Sequence, residues 1–219
     1  MKLLVSFLSL LAVASAHFKL DYPAARGFDE DKLPTFPCGG QNAVSSNRTA
    51  WPLKGGAVQL EMEHDRVMVQ ILLGLGNDVG DSFNITLLPI IEQEGEGSFC
   101  LKDIALPDGT TVTDGQNATI QVVTNGDPTG GLYNCADITF SADAPAAPSC
   151  QNGTGMMTMP YTGPFKNANQ SDPTSGSAAT SASAAASPTN TGAAAALGRG
   201  VEWSAGMVVM GAVGFAVLL

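Results

Sequence analysis

Basic residues are scarce: 10 Lys and Arg face 20 Asp and Glu, a formal net charge of −10. That balance excludes a nucleic-acid partner, which needs clustered positive charge to meet phosphates. Cysteine is limited to four residues, none spaced C-x-x-C. Their spacing argues against a thiolate zinc site and against a dithiol redox motif. No long stretch repeats apolar residues at helical spacing, so a helical architecture is not expected. Asp and Glu are plentiful, yet no pair has a spacing that selects the two carboxylates of a hydrolase. Histidine occurs only twice, as His17 and His64.

Both ends of the chain read as processing signals. Lys2, the apolar run of residues 3–13 and the small residues Ala14-Ser15-Ala16 form a secretory signal peptide, residues 1–16. Cleavage after Ala16 makes His17 the first residue of the mature protein and moves the net charge to −11 by removing Lys2. At the other end, residues 201–219 are almost wholly apolar, with Glu202 near the start and no basic residue after it. A stop-transfer helix is usually followed by Lys or Arg. Small residues, a polar spacer and a terminal apolar tail instead describe a glycosylphosphatidylinositol signal, with Asn190 or Gly192 as acceptor and residues 193–219 removed. Residues 166–192 are dominated by Ser, Ala and Thr, lack large apolar side chains and read as a glycosylated stalk. The expected location is the outer leaflet of the plasma membrane.

Between these signals lies one domain, residues 17–165, of about 150 residues, enough for a single core. In a secreted chain, Cys38, Cys100, Cys135 and Cys150 are expected to form two disulfides, with three pairings open. Five sequons, at Asn47, Asn84, Asn117, Asn152 and Asn169, mark surface wherever they are used. Alternation of apolar and polar residues predicts strands over residues 57–63, 66–73, 82–88 and 132–141. Residues 110–113 and 118–123 flank Asp114-Gly115 and predict a hairpin. The segment 18–49, rich in Pro and Gly, reads as a long extended loop. The fold class is all-β, an immunoglobulin-like or fibronectin-III-like sandwich with two disulfides.

The chemistry centres on His17. An N-terminal histidine offers its α-amine and a ring nitrogen as one chelating unit, and the amine deprotonates at little cost near neutral pH. His64 follows an alternating strand, at a strand end or tight turn, and adds a third nitrogen. Three such nitrogens suit tetragonal copper, the favoured divalent ion for these donors. Met156, Met157 and Met159 are thioethers suited to cuprous copper, though packing at the domain end is the simpler expectation.

An N-terminal His17, an internal His64, a disulfide-bonded sandwich and a lipid-anchor signal resemble the histidine-brace copper proteins of fungi. The sequences His17-Phe18-Lys19-Leu20-Asp21-Tyr22-Pro23, Phe36-Pro37-Cys38-Gly39-Gly40 and residues 133–140 (YNCADITF) resemble the LPMO-like copper-acquisition factors in particular. The resemblance implies one Cu(II) per chain, held by His17, His64 and an aspartate carried onto Asp137, with Asp65 and Asp21 as rivals. It implies copper capture at the cell surface by a monomer, with a plasma-membrane copper transporter as partner and no catalytic residues. An anionic oxygen at the third position favours the doubly charged ion and crowds the place where oxygen chemistry would occur. Two other readings stand beside this one, a lytic polysaccharide monooxygenase and a structural wall glycoprotein. A polysaccharide enzyme usually presents a flat aromatic platform, whereas Trp51, Tyr22 and Tyr161 are scattered and read as core or loop packing.

Overall fold

The computed structural model describes residues 17–125 and 130–169. The predicted signal peptide, the rest of the predicted stalk and the tail with Asn190 and Gly192 lie outside the described residues. Nine strands form: β1 (Phe18–Tyr22), β2 (Thr49–Pro52), β3 (Gly55–Met62), β4 (Arg66–Leu75), β5 (Ile85–Glu94), β6 (Gly97–Ala105), β7 (Asn117–Asn125), β8 (Gly131–Ser141) and β9 (Met157–Pro160). One sheet has the order β1-β3-β6 and the other β2-β8-β7-β4-β5-β9. All pairings are antiparallel except β2 with β8.

The alternation that predicts β3 also buries it. Val58, Leu60 and Met62 point inward while Gln59 and Glu61 are half-exposed. They meet Phe18 and Leu20 of β1, Phe99 of β6 and the inward residues of β4, β7 and β8 in one core shared by the two sheets. The molecule is therefore a β-sandwich. Strands β7 and β8 are buried on both faces. Their outward side chains Val123 and Tyr133 join Met68 and Ile90 in a second cluster, covered by Tyr161, Phe165 and Ala168. The Ala168 N–H donates to the Gln70 side chain at 3.1 Å, so packing continues beyond Phe165.

Several sequence expectations move. The segment 18–49 is not all loop: Lys19 alternates with buried Phe18 and Leu20, and that short pattern makes β1. Residues 110–113 form no strand. Thr110 N–H donates to the Pro107 carbonyl and Thr113 N–H to the Gln116 side chain, so the stretch is a chain of turns. The predicted strand at 82–88 runs instead from Ile85 to Glu94. The disulfides join Cys38 to Cys135 and Cys100 to Cys150, one of the three open pairings.

Trp51 is the largest fully buried side chain, 1% exposed, with Tyr22 stacked on it at 6.2 Å. A Cβ on Gly56 would stand 3.0 Å from the indole, so the glycine makes room for the ring. Trp51→Ala is expected to cost about 3–5 kcal/mol, the usual range for deleting a buried aromatic ring. A lowered urea midpoint with an unchanged slope checks this.

Candidate metal centre

The N-terminal strand places the first histidine. In β1, Phe18 pairs with Met62 of β3, and the next step of the ladder sets His17 opposite Glu63, whose N–H donates to the His17 carbonyl at 3.1 Å. His64 is the following residue, in the turn of residues 63–65 between β3 and β4. The two histidines, 47 positions apart in sequence (64 minus 17), thus lie at the same end of the smaller sheet, His17 opposite the residue before His64.

Hydrogen bonds fix how each ring is presented. The His64 Nδ1 lies 3.0 Å from the Arg66 carbonyl and 3.3 Å from the Asp65 carboxylate. Two acceptors on one nitrogen place the proton on Nδ1 and the lone pair on Nε2; the Arg66 N–H, 3.4 Å from Nδ1, is the weaker contact. A carbonyl holding one ring nitrogen is the usual way a metal-binding imidazole is oriented. The His17 Nδ1 lies 3.1 Å from the Glu30 carboxylate, and its side chain is 11% exposed. Glu30 comes from a short 3₁₀ helix, Glu30–Lys32. Alongside, Lys19 binds Glu63 at 2.8 Å and stands over the Phe28 ring. Glu30 belongs to the acidic run Asp29-Glu30-Asp31, but its contact with His17 is tertiary and leaves no mark in local sequence. Nitrogen donors with an oriented ring suit copper. Among the described residues, no group of three or more His, Cys, Asp or Glu converges as a metal-holding cluster.

Asp137 stands elsewhere. Its side chain is fully buried in mid-β8, where the Arg26 guanidinium grips it from two nitrogens, Nε to Oδ2 and Nη2 to Oδ1, each at 2.8 Å. The Thr119 hydroxyl donates to Oδ1 and the Ser45 N–H to Oδ2, both at 2.7 Å. An ionised carboxylate has about four acceptor positions, and these four bonds take them. Burial pushes the Asp137 carboxyl up, but Arg26, Thr119 and Ser45 outweigh it and hold the group below its ordinary value. Asp137, expected as a metal ligand, thus anchors a buried ion pair in this structure and is not grouped there with the two histidines. Of its rivals, Asp21 lies exposed in β1, and Asp65 is 82% exposed beside His64.

A family model described as copper acquisition factor BIM1-like matches residues 15–155. The chain belongs to the BIM1-like family. It is 49% identical over 173 residues to an uncharacterized protein of Aspergillus fumigatus, covering 75% of this chain and 71% of that one. It is 36% identical to the lytic polysaccharide monooxygenase-like protein ham-7 of Neurospora crassa, over 61% of this chain and 67% of that one. Copper acquisition factor BIM1 of Cryptococcus neoformans var. grubii is 29% identical, over 65% of this chain and 69% of its own length.

In this BIM1-like chain the three aromatics do not form an open platform. Trp51 is buried under Tyr22, and Tyr161 stacks on Phe165 at 6.1 Å. Of the sequon asparagines, Asn47, Asn84 and Asn169 are exposed. Asn117 is half-buried and hydrogen-bonds through both ends of its amide, to Thr139 and Asn77. The exposed Asn152 accepts the Cys100 N–H at 2.6 Å.

Asp137→Asn leaves Arg26 a buried cation without its anion and is expected to cost about 3–5 kcal/mol. The copper affinity of the folded variant is expected to match the wild type. Because the folded carboxyl titrates below the unfolded value of about 3.9, its contribution is complete above about pH 4 and falls away in more acid solution. Urea unfolding at pH 7 and pH 3 should therefore separate the two proteins by a smaller margin at pH 3 than at pH 7, the difference between the two margins being at most about 1 kcal/mol.

Proposed function

We propose that the mature protein binds Cu(II) at the cell surface and serves copper capture. His17 supplies its amine and one ring nitrogen, and His64 supplies Nε2. The observation that supports this reading is the β1–β3 register, which sets His17 opposite Glu63, the residue before His64. The Glu30 carboxylate next to the His17 ring adds negative charge where a cation would bind. Removal of residues 1–16 is a precondition, because an amine inside a peptide bond is no ligand. Copper is the cargo, one ion per monomer, for delivery towards a plasma-membrane transporter. The lipid-anchor signal and Ser/Thr-rich stalk would hold the domain outside the outer leaflet.

The test compares Cu(II) titrations of the mature protein, His64→Ala and a form with one extra residue before His17. Each change removes one nitrogen and should weaken binding by about tenfold or more. Nitrogen couplings in the electron paramagnetic resonance spectrum should fall from three donors to two. Unchanged affinity on extension would overturn the chelate. Relatives named monooxygenase-like favour an oxidative reading as the alternative. Oxidised oligosaccharides after incubation with reductant, peroxide and chitin or glucan would replace the binding-only function.

A further inference from the structure

Beyond the histidine pair, the chain holds an exposed set of sulfur donors. Of the triplet expected to pack the domain end, only Met156 does so: it packs against the main core, and its thioether accepts a hydrogen bond from the Gln93 amide at 2.9 Å. Met157 and Met159 are 56% and 37% exposed, two of the four exposed large apolar side chains among the described residues.

Register places these two sulfurs on one surface. Met157 pairs with Glu94, which pairs with Arg66; Met159 pairs with Glu92, which pairs with Met68. Directly opposed residues in antiparallel strands share a face. Gln93 and Val67, between those rows, are buried, and Val67 joins the core between the sheets, so Met157, Met159, Glu92 and Glu94 face outward. Along β9 the two methionine positions are about 7 Å apart, within reach of long, flexible side chains closing on one ion. Glu92 and Glu94 carry two negative charges against the single positive charge of Arg66, which contacts them at 2.8 and 3.5 Å. That leaves the surface net acidic.

We infer that Met157 and Met159 form a binding site for a soft monovalent cation, Cu(I) or Ag(I), on the outer face of β9. Thioethers select cuprous over cupric copper, and the neighbouring carboxylates favour cation entry. The site uses none of the nitrogens assigned to Cu(II). It lies two strands from Arg66, whose carbonyl holds His64, a separation of about 10 Å.

The test uses the mature protein with carbon-13-labelled methionine methyls and Ag(I), which needs no reductant. Met157 and Met159 signals should shift together and saturate at about one equivalent, with Met156 and Met68 unmoved. The same shifts should persist in His64→Ala. Met157→Leu/Met159→Leu, a surface change, should lose about tenfold or more in Ag(I) affinity while its Cu(II) titration matches the wild type. Unshifted methyl signals, or equal Ag(I) affinity in the double variant, would overturn the site whatever the fate of the histidine pair.

Discussion

The buried pairing of Arg26 with Asp137 is the constraint on which the placing of the segment from Ala25 to Ser45 depends. Arg26 is reached by a loop, yet its guanidinium lies inside the protein, 3% exposed, and its other donors meet the Asn42 carbonyl and Thr119. A cation buried this deeply is tolerable only with an anion and a full set of hydrogen bonds. Arg26 N–H also donates to the Cys135 carbonyl, and Cys135 is bonded to Cys38. Leu33 and Pro37 add carbonyls for the Tyr133 N–H and the Gln121 side chain. The segment from Ala25 to Ser45 is thereby fastened to β7 and β8. The 3₁₀ helix carrying Glu30 lies within that fastened segment.

This arrangement explains why the site was only half legible beforehand. Strands β3, β4 and β8 announce themselves by alternation or by dense β-branched content, because burial acts on neighbours in sequence. His17 stands out too, since the signal-peptide pattern predicts it as the first mature residue. Asp137 shows the opposite case. Its partner Arg26 is 111 positions away, and nothing local distinguishes a carboxylate that holds an arginine from one that holds a metal. The contact of Glu30 with His17 is hidden from local sequence for the same reason. β1 was hidden by length: five residues bounded by Pro23 give too few alternations to stand out from a loop.

A single register sets His17 opposite Glu63, next in sequence to His64. A slip of one residue between β1 and β3 would turn Phe18 and Leu20 out of the core and carry His17 away from the 63–65 turn. Phe18 is fully buried and Leu20 nearly so, so the hydrophobic energy that seats the strand also fixes its first residue. In this sense the core sets the position of the proposed metal centre. A free N-terminus is ordinarily a fraying end. Here Phe18 is anchored in the core and the His17 ring keeps Glu30 as a neighbour, so removal of residues 1–16 as proposed would leave an end held one residue inside it.

The same end of the sandwich carries donors of opposite character. Nitrogen donors beside a carboxylate, as proposed for His17 and His64, would favour a doubly charged cupric ion, whereas exposed thioethers would discriminate for the cuprous one. The His64 turn is tied to the larger sheet at Arg66 and at Gly95, whose N–H donates to the Asp65 carbonyl at 2.7 Å. From there the ladder runs through Glu94 to Met157. Solubility alone would leave polar residues at Met157 and Met159, and packing alone would turn both inward as it does Met156. Two outward sulfurs on neighbouring same-face positions satisfy neither demand. A demand that sulfur meets better than oxygen or carbon, the holding of a soft cation, accounts for both positions at once.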